Sequence, residues 1–280
     1  SRKVSIRRQL KKDLRKLNAI HKEYLNKLEN KAKLPLAGEW LIENRYLLQE
    51  QYQYIKKNFP ISYFRRLPAL TSGRMKGYRR IYVILHELLR QTEGKSNPEV
   101  LVSFLWAYQQ AQPLTIGELW AIPLMTRFVI FDQLRKLYEE VNELRLPKKQ
   151  ERLWRKKVLP IIKDRSQELN NAILSVEKYL DLSNPFVLIF LEQQFRRSAD
   201  LKPLLRWLEA RANAQNFSLS KLIEEERNNH ARYRAIAGNL FTSLQEINRT
   251  NWEEHFEDLS LVEQALRLDP ARIYPDMDFD

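Results

Sequence analysis

The longest stretch too apolar to face water on any side runs from Pro113 to Leu137, PLTIGELWAIPLMTRFVIFDQLRKL. Ile116, Leu119, Trp120, Pro123, Leu124, Phe128, Phe131, Leu134 and Leu137 recur mostly at three- and four-residue steps, and Ile122, Met125, Val129 and Ile130 widen the stripe to most of the circumference. This pattern predicts a buried central helix. Its start falls near Ile116, because Thr115 and Glu118 stand three apart and can each satisfy a backbone N–H that a helix start leaves open. Pro123 removes one helical hydrogen bond and is expected to kink the helix or begin its second half. Glu118 and Arg127 are charges in a buried run, so each needs a mate across the core or a place on a wet edge.

Other helices follow from the same periodicity. Leu10, Leu14, Leu17, His21, Tyr24 and Leu28 form a heptad seam within a basic amphipathic helix from about Val4 to Lys31. A second helix is predicted over Leu36–Asn58, ending before Pro60, and a long connection over Ile61–Tyr78 with Pro68, Gly73 and Gly77. Further helices are predicted over Arg79–Gln91, from Asn97-Pro98 to Gln110, over Lys148–Tyr179 with a bend at Pro160, from Asn184-Pro185, over Leu201–Ala214, over Leu219–Arg249 and over Trp252–Leu268. The segment 271–280 alternates apolar with acidic residues and reads as extended. The fold class is therefore all-α: a bundle of about 9–11 helices around the buried central one. The expected divisions are a basic helix at 1–33, a helical domain at 34–270 with sub-bundles at 34–146 and 147–270, and a tail at 271–280.

Composition sharpens this picture in four ways. The chain has 280 residues, 44% of them hydrophobic, which is ample for a core, and only six glycines, which disfavours tight hairpins and a glycine-rich phosphate loop. No cysteine is present, so disulfides, thiolate nucleophiles and cysteine metal sites are excluded. No apolar run reaches the roughly 18–20 residues of a membrane span, and no secretory signal is read at the start, so a soluble segment is expected. The net charge of +13 is uneven: residues 1–33 carry +9 and residues 250–280 carry −7. A basic surface suits nucleic acid, anionic lipid or an acidic protein face, and composition does not choose among them.

Catalytic patterns are sparse. His21, His86, His230 and His255 all fall within helical patterns, outside any nucleophile elbow. Glu226 and His230 stand one turn apart, but a di-iron bundle needs several inward carboxylates and repeated Glu-x-x-His motifs. Asp276 and Asp278 flank Met277 at a spacing that suits either a cation or one wet face of a strand. Arg65 and Arg66, with Tyr63 and Phe64 beside them, suit phosphates and bases or helix packing next to a solvated loop. The candidate contact residues are Glu39, Trp40, Asn44, Arg65, Arg66, Glu118, Trp120, Arg127, Asp276 and Asp278; no catalytic, cofactor or metal residue is assigned. From chemistry alone the chain reads as a helical interaction or scaffold domain.

The stretches GEWLIENRYLLQEQ (Gly38–Gln51), Tyr63–Pro68 and PLTIGELWAIPLMTRFVIFDQLRKL resemble the N-terminal cytoplasmic region of the cyclic β-1,2-glucan synthases. So do GNLFTSLQEI (Gly238–Ile247), WEEHFEDLSLVEQALRLDP (Trp252–Pro270) and IYPDMDF (Ile273–Phe279), in family order over most of the chain. The resemblance implies a segment of a very large inner-membrane enzyme whose later parts include membrane spans, a UDP-glucose-dependent glycosyltransferase with a divalent cation, and carbohydrate-active domains. It implies a non-catalytic helical docking domain at the cytoplasmic face, with no cofactor of its own. The expected partners are the transferase and membrane domains of the same polypeptide and anionic lipid headgroups, with nucleic acid disfavoured. Two rivals are a free-standing basic helical module for RNA or anionic membrane, and a helical-barrel carbohydrate-active domain with two carboxylates across a groove.

Overall fold

The computed structural model describes residues 6–30, 34–144, 146–164 and 168–267. In chain order the helices are α1 (Ile6–Glu29), α2 (Gly38–Glu43), α3 (Arg45–Asn58), α4 (Ile61–Arg66), α5 (Arg80–Gln91), α6 (Pro98–Ala111) and α7 (Ile116–Glu143). They continue with α8 (Lys148–Leu153), a π turn (Trp154–Val158), α9 (Leu159–Lys163), α10 (Leu169–Tyr179), α11 (Pro185–Phe195) and a 3₁₀ turn (Ala199–Leu201). Last come α12 (Lys202–Ala214), α13 (Leu219–Arg249), α14 (Trp252–Leu259) and α15 (Leu261–Arg267). The fold is all-α; among the described residues the β geometry is confined to an isolated bridge between Ala69 and Arg79. The expected tail, with Asp276 and Asp278, lies outside the described residues.

The chain divides into two compact units, Ser1–Tyr138 with Tyr233–Asp280, and Glu139–Arg232. In the first unit α7 is the spine. Every residue from Met125 to Asp132 is buried, so the helix is enclosed on all sides over two turns. It runs unbroken through Pro123. Its first two turns are less enclosed than the pattern suggested, with Ile116 and Trp120 about half exposed.

The heptad seam of α1 packs within the chain, against α2, α3 and α4: Leu10, Leu14, Leu17, His21 and Tyr24 are buried, while Leu28 at the end is exposed. Tyr24 meets Tyr138 edge to face at 6.3 Å, and the Tyr138 hydroxyl donates to Ala37 O at 2.8 Å. Gly94 closes α5 in a left-handed conformation (φ +85°), its N–H donating to Leu89 O at 2.7 Å. A Cβ there would lie 2.7 Å from Leu240 Cγ on α13, so glycine is required on two counts.

Four segments depart from the sequence pattern. The helix expected over Trp252–Leu268 is broken at Ser260, whose extended backbone ends α14 before α15 begins. The helix expected over Leu36–Asn58 is broken at Asn44, whose side chain turns back to Trp40 O at 3.0 Å and so competes with the backbone ladder. Part of the connection expected over Ile61–Tyr78 is helical, because Pro60 supplies a helix start and Phe64 a buried anchor; the loop proper is 67–79. The long helix expected over Lys148–Tyr179 is instead α8, a π turn, α9 and α10. The π turn falls just before Pro160, whose missing N–H removes a rung of the α ladder.

In the second unit, Trp154, Val158, Val176, Leu188, Leu191, Phe195, Leu204, Leu208 and Leu219 form one core, with Trp154 edge-on to Phe190 at 5.3 Å. Asn184 caps α11 by accepting from Phe186 N at 2.9 Å, as the Asn-Pro pair predicted; Asn97 does the same for α6 in the first unit, accepting from Val100 N at 3.0 Å.

Candidate functional site

The polar residues that the sequence placed inside the apolar spine are where chemistry would be sought, and each is held by another helix. At the start of α7, Thr115 and Glu118 form a reciprocal cap: Glu118 N donates to Thr115 Oγ1 at 3.3 Å, and Thr115 N and Oγ1 both donate to Glu118 Oε2 at 3.0 Å. Glu118 is fully buried and takes both forks of Arg80 from α5, with Nε to Oε1 at 2.9 Å and Nη2 to Oε2. That partnership holds Arg80 more firmly protonated than usual.

Arg127, 3% exposed, donates to Gln51 Oε1 of α3 at 2.8 Å, to Pro123 O at 2.9 Å and to Ile247 O of α13 at 3.1 Å, and lies 4.6 Å over the Tyr54 ring. Burial pulls it down to about 10, leaving it charged at neutral pH. A third cluster joins α1, α5 and α7. Asp132 Oδ1 accepts from Arg135 at 2.7 Å, while Oδ2 accepts from Lys136 at 2.7 Å and from the Tyr82 hydroxyl at 2.9 Å. Arg135 reaches Asp13 Oδ1 at 2.7 Å, and among the described residues Asp13 Oδ2 is buried without a hydrogen-bond partner. Burial, opposed by Arg135, pushes the Asp13 carboxyl up to about 6. Burial and then the Lys136 charge push His86 down; its Nε2 accepts from Lys136 Nζ at 3.1 Å, which places the ring proton on Nδ1. The arrangement is a set of ionic ties between helices.

The surface candidates are spread over several faces. Glu39 is exposed and faces Arg234 at 3.7 Å; Trp40 stacks on Phe241 at 6.5 Å and fills the space over Gly238, where a Cβ would meet its ring at 2.9 Å. Asn44 is buried and accepts from Gln245 at 3.3 Å. Arg65 and Arg66 are exposed at the end of α4. Trp120 stacks on Phe256 of α14 at 4.2 Å beside a small apolar cavity lined by Leu119, Ile122, Pro123, Trp252 and Leu259. Glu39, Trp40 and Asn44 thus all border α13, whereas Glu118, Trp120 and Arg127 follow α7.

One open groove, of about 450 Å³, was not read from the sequence. One wall is the stripe Glu99, Val102, Ser103 and Trp106 on α6, and the other is His255 and Asp258 on α14. The i, i+3, i+4, i+7 spacing of the first four was legible as a second face of α6, but only the tertiary packing supplies the opposite wall. Glu99 and Asp258 both stand in solvent, whereas the acid of a glycosidic cleavage pair needs a low-polarity pocket. Among the described residues no group of three or more His, Asp or Glu is placed to hold a metal ion, and no helix is long and apolar enough to cross a membrane.

Fold and site together define an all-helical unit in which buried charges tie helices to one another. No family model matches the chain. It is similar to a segment of the cyclic beta-(1,2)-glucan synthase NdvB of Rhizobium meliloti (strain 1021), 26% identical over 241 residues, which is 86% of this chain. The chain spans about 8% of the length of that relative.

Proposed function

We propose that the chain is a non-catalytic helical docking and support segment of a membrane-bound cyclic β-1,2-glucan synthase, at the cytoplasmic face of the inner membrane. The observation that carries this reading is the similarity over 86% of the chain to a small part of a synthase. The polymerising chemistry, with UDP-glucose and a divalent cation, belongs in this reading to the rest of that polypeptide, and the segment needs no cofactor. Glu118, Arg127, Asp132 and Asp13 support it, because each is engaged inside the fold and not aimed into a cleft. The outward residues Glu39 and Trp120 are then the contacts open to the transferase and membrane domains.

The test is to produce the chain and a synthase lacking the corresponding segment as separate polypeptides. The two are expected to co-purify, and the chain alone, given UDP-[14C]glucose and Mg²⁺, is expected to make no polymer. Polymer from the chain alone, or failure of the two parts to associate, would overturn the reading.

A second reading, direct contact with glucan, is favoured by the α6–α14 groove, where Trp106 is 47% exposed and the Glu99 and Asp258 carboxylates, which can accept from sugar hydroxyls, share the lining. Calorimetric titration with linear β-1,2-glucan should show binding that Trp106→Ala abolishes; no heat with the parent chain rejects it.

A further inference from the structure

Two segments of the first unit carry no exposed acid, and the fold packs them together. From Ile6 to Lys22 the one acidic residue is Asp13, which is buried against Arg135. From Gln51 to His86 there is none. The first segment is most of α1; the second holds the end of α3, all of α4 and the loop 67–79, and α1 packs on both α3 and α4. Arg7 Nη2 donates to Lys56 O at 3.4 Å, bringing the start of α1 beside the end of α3.

On α1, Arg8, Lys11, Lys12 and Arg15 are exposed at i, i+3, i+4 and i+7, a straight stripe that Lys22 extends to about 21 Å at 1.5 Å per residue. On the adjoining elements Lys56, Lys57, Arg65 and Arg66 are also exposed. The seam residues behind the stripe are buried, so α1 is pinned to the unit by its apolar side and presents its basic side outward.

We infer that this face of α1, α3 and α4 is a contact surface for an anionic phospholipid bilayer. It goes beyond the docking reading and stands on the charges alone. A bilayer offers a broad, mobile array of phosphates, which suits an acid-free stripe of long cationic side chains. A single nucleotide would need converging donors in a concavity, and neither groove described above is lined by Lys or Arg. A nucleic acid would need free aromatic platforms between the charges. Here Phe64 is buried under Arg79, the Tyr63 hydroxyl donates to Gly117 O, Tyr78 stacks on Tyr82, and Tyr54, though 43% exposed, has one ring face covered by Arg127 at 4.6 Å.

The test is co-sedimentation of the 280-residue chain with vesicles of phosphatidylcholine alone and of phosphatidylcholine with 30 mol% phosphatidylglycerol. Binding is expected to the anionic vesicles only, falling at least tenfold as salt rises from about 50 to 300 mM. Each basic side chain near such a surface raises affinity about fivefold, so Arg8→Glu/Lys11→Glu/Lys12→Glu/Arg15→Glu should lose at least a hundredfold while keeping the parent's circular dichroism. The control, Lys149→Glu/Arg152→Glu/Lys156→Glu/Lys157→Glu, reverses as many exposed charges on α8 and the π turn and should stay within threefold of the parent. Equal binding to both vesicle types, or equal losses in the two variants, would overturn the inference. So would tighter binding to a 20-nucleotide single-stranded RNA that the α1 variant abolishes. None of these outcomes bears on whether the chain associates with the rest of a synthase.

Discussion

Replacing Glu118 by alanine tests whether the buried ties of α7 hold the first unit together. Among the described residues, the substitution leaves the Arg80 guanidinium with Pro113 O at 3.1 Å as its remaining acceptor and strips Thr115 N and Oγ1 of theirs. Breaking a buried ion pair by removing one partner costs about 3–5 kcal/mol. The Arg80 side chain is 13% exposed and can recruit some water, which points to the lower end. The lost cap adds about 1 kcal/mol. The expected total is about 4 kcal/mol, read as a lower urea midpoint with an unchanged slope, or as a fall in Tm of about 8–16 °C.

Glu118→Gln keeps the acceptor oxygen for the cap and should cost about half as much. Arg80→Met/Glu118→Leu removes both charges at once; it should stand at least about 2 kcal/mol above the sum of the single losses, because no charge is left buried alone. A cost below about 1 kcal/mol for Glu118→Ala, or strict additivity in the double variant, would refute the structural role assigned to the pair.

Asp13 gives a pH signature. Its carboxyl is pushed from an ordinary 3.8 to about 6, so the folded state binds the proton more tightly than the unfolded chain. The stability it confers is complete below pH 3.8 and is lost as pH rises to about 6, by about 3 kcal/mol at most. Asp13→Asn should therefore gain on the parent by about 2–3 kcal/mol between pH 4 and pH 7 in urea titrations, and a difference that stays flat across that range contradicts the burial of Asp13. Gly94→Ala combines a left-handed backbone with a Cβ 2.7 Å from Leu240 Cγ, and should lower stability by about 2 kcal/mol or more; calorimetry showing an unchanged Tm would mean the turn relaxes freely.

Periodicity and capping chemistry were sufficient for the helical class, the central position of α7, and the starts at Thr115, Asn97 and Asn184, because these depend on residues within one turn of each other. The same locality made it clear that Glu118 and Arg127 needed mates. The mates lie 38 and 76 residues away in Arg80 and Gln51, and nothing in their own neighbourhoods marks them. The helix break at Asn44 and the π turn before Pro160 were missed for a related reason: an apolar stripe continues across a break when both halves pack on one core. Asp13, Asp132, Arg135, Lys136 and His86 look in the sequence like ordinary charges on basic or mixed helices. Their grouping, and the pairing of α6 with α14 around a groove, exist only once side chains distant along the chain share a solvent-excluded space. That sharing is set by three-dimensional packing, since electrostatic attraction and desolvation act across distance in space and not along the chain.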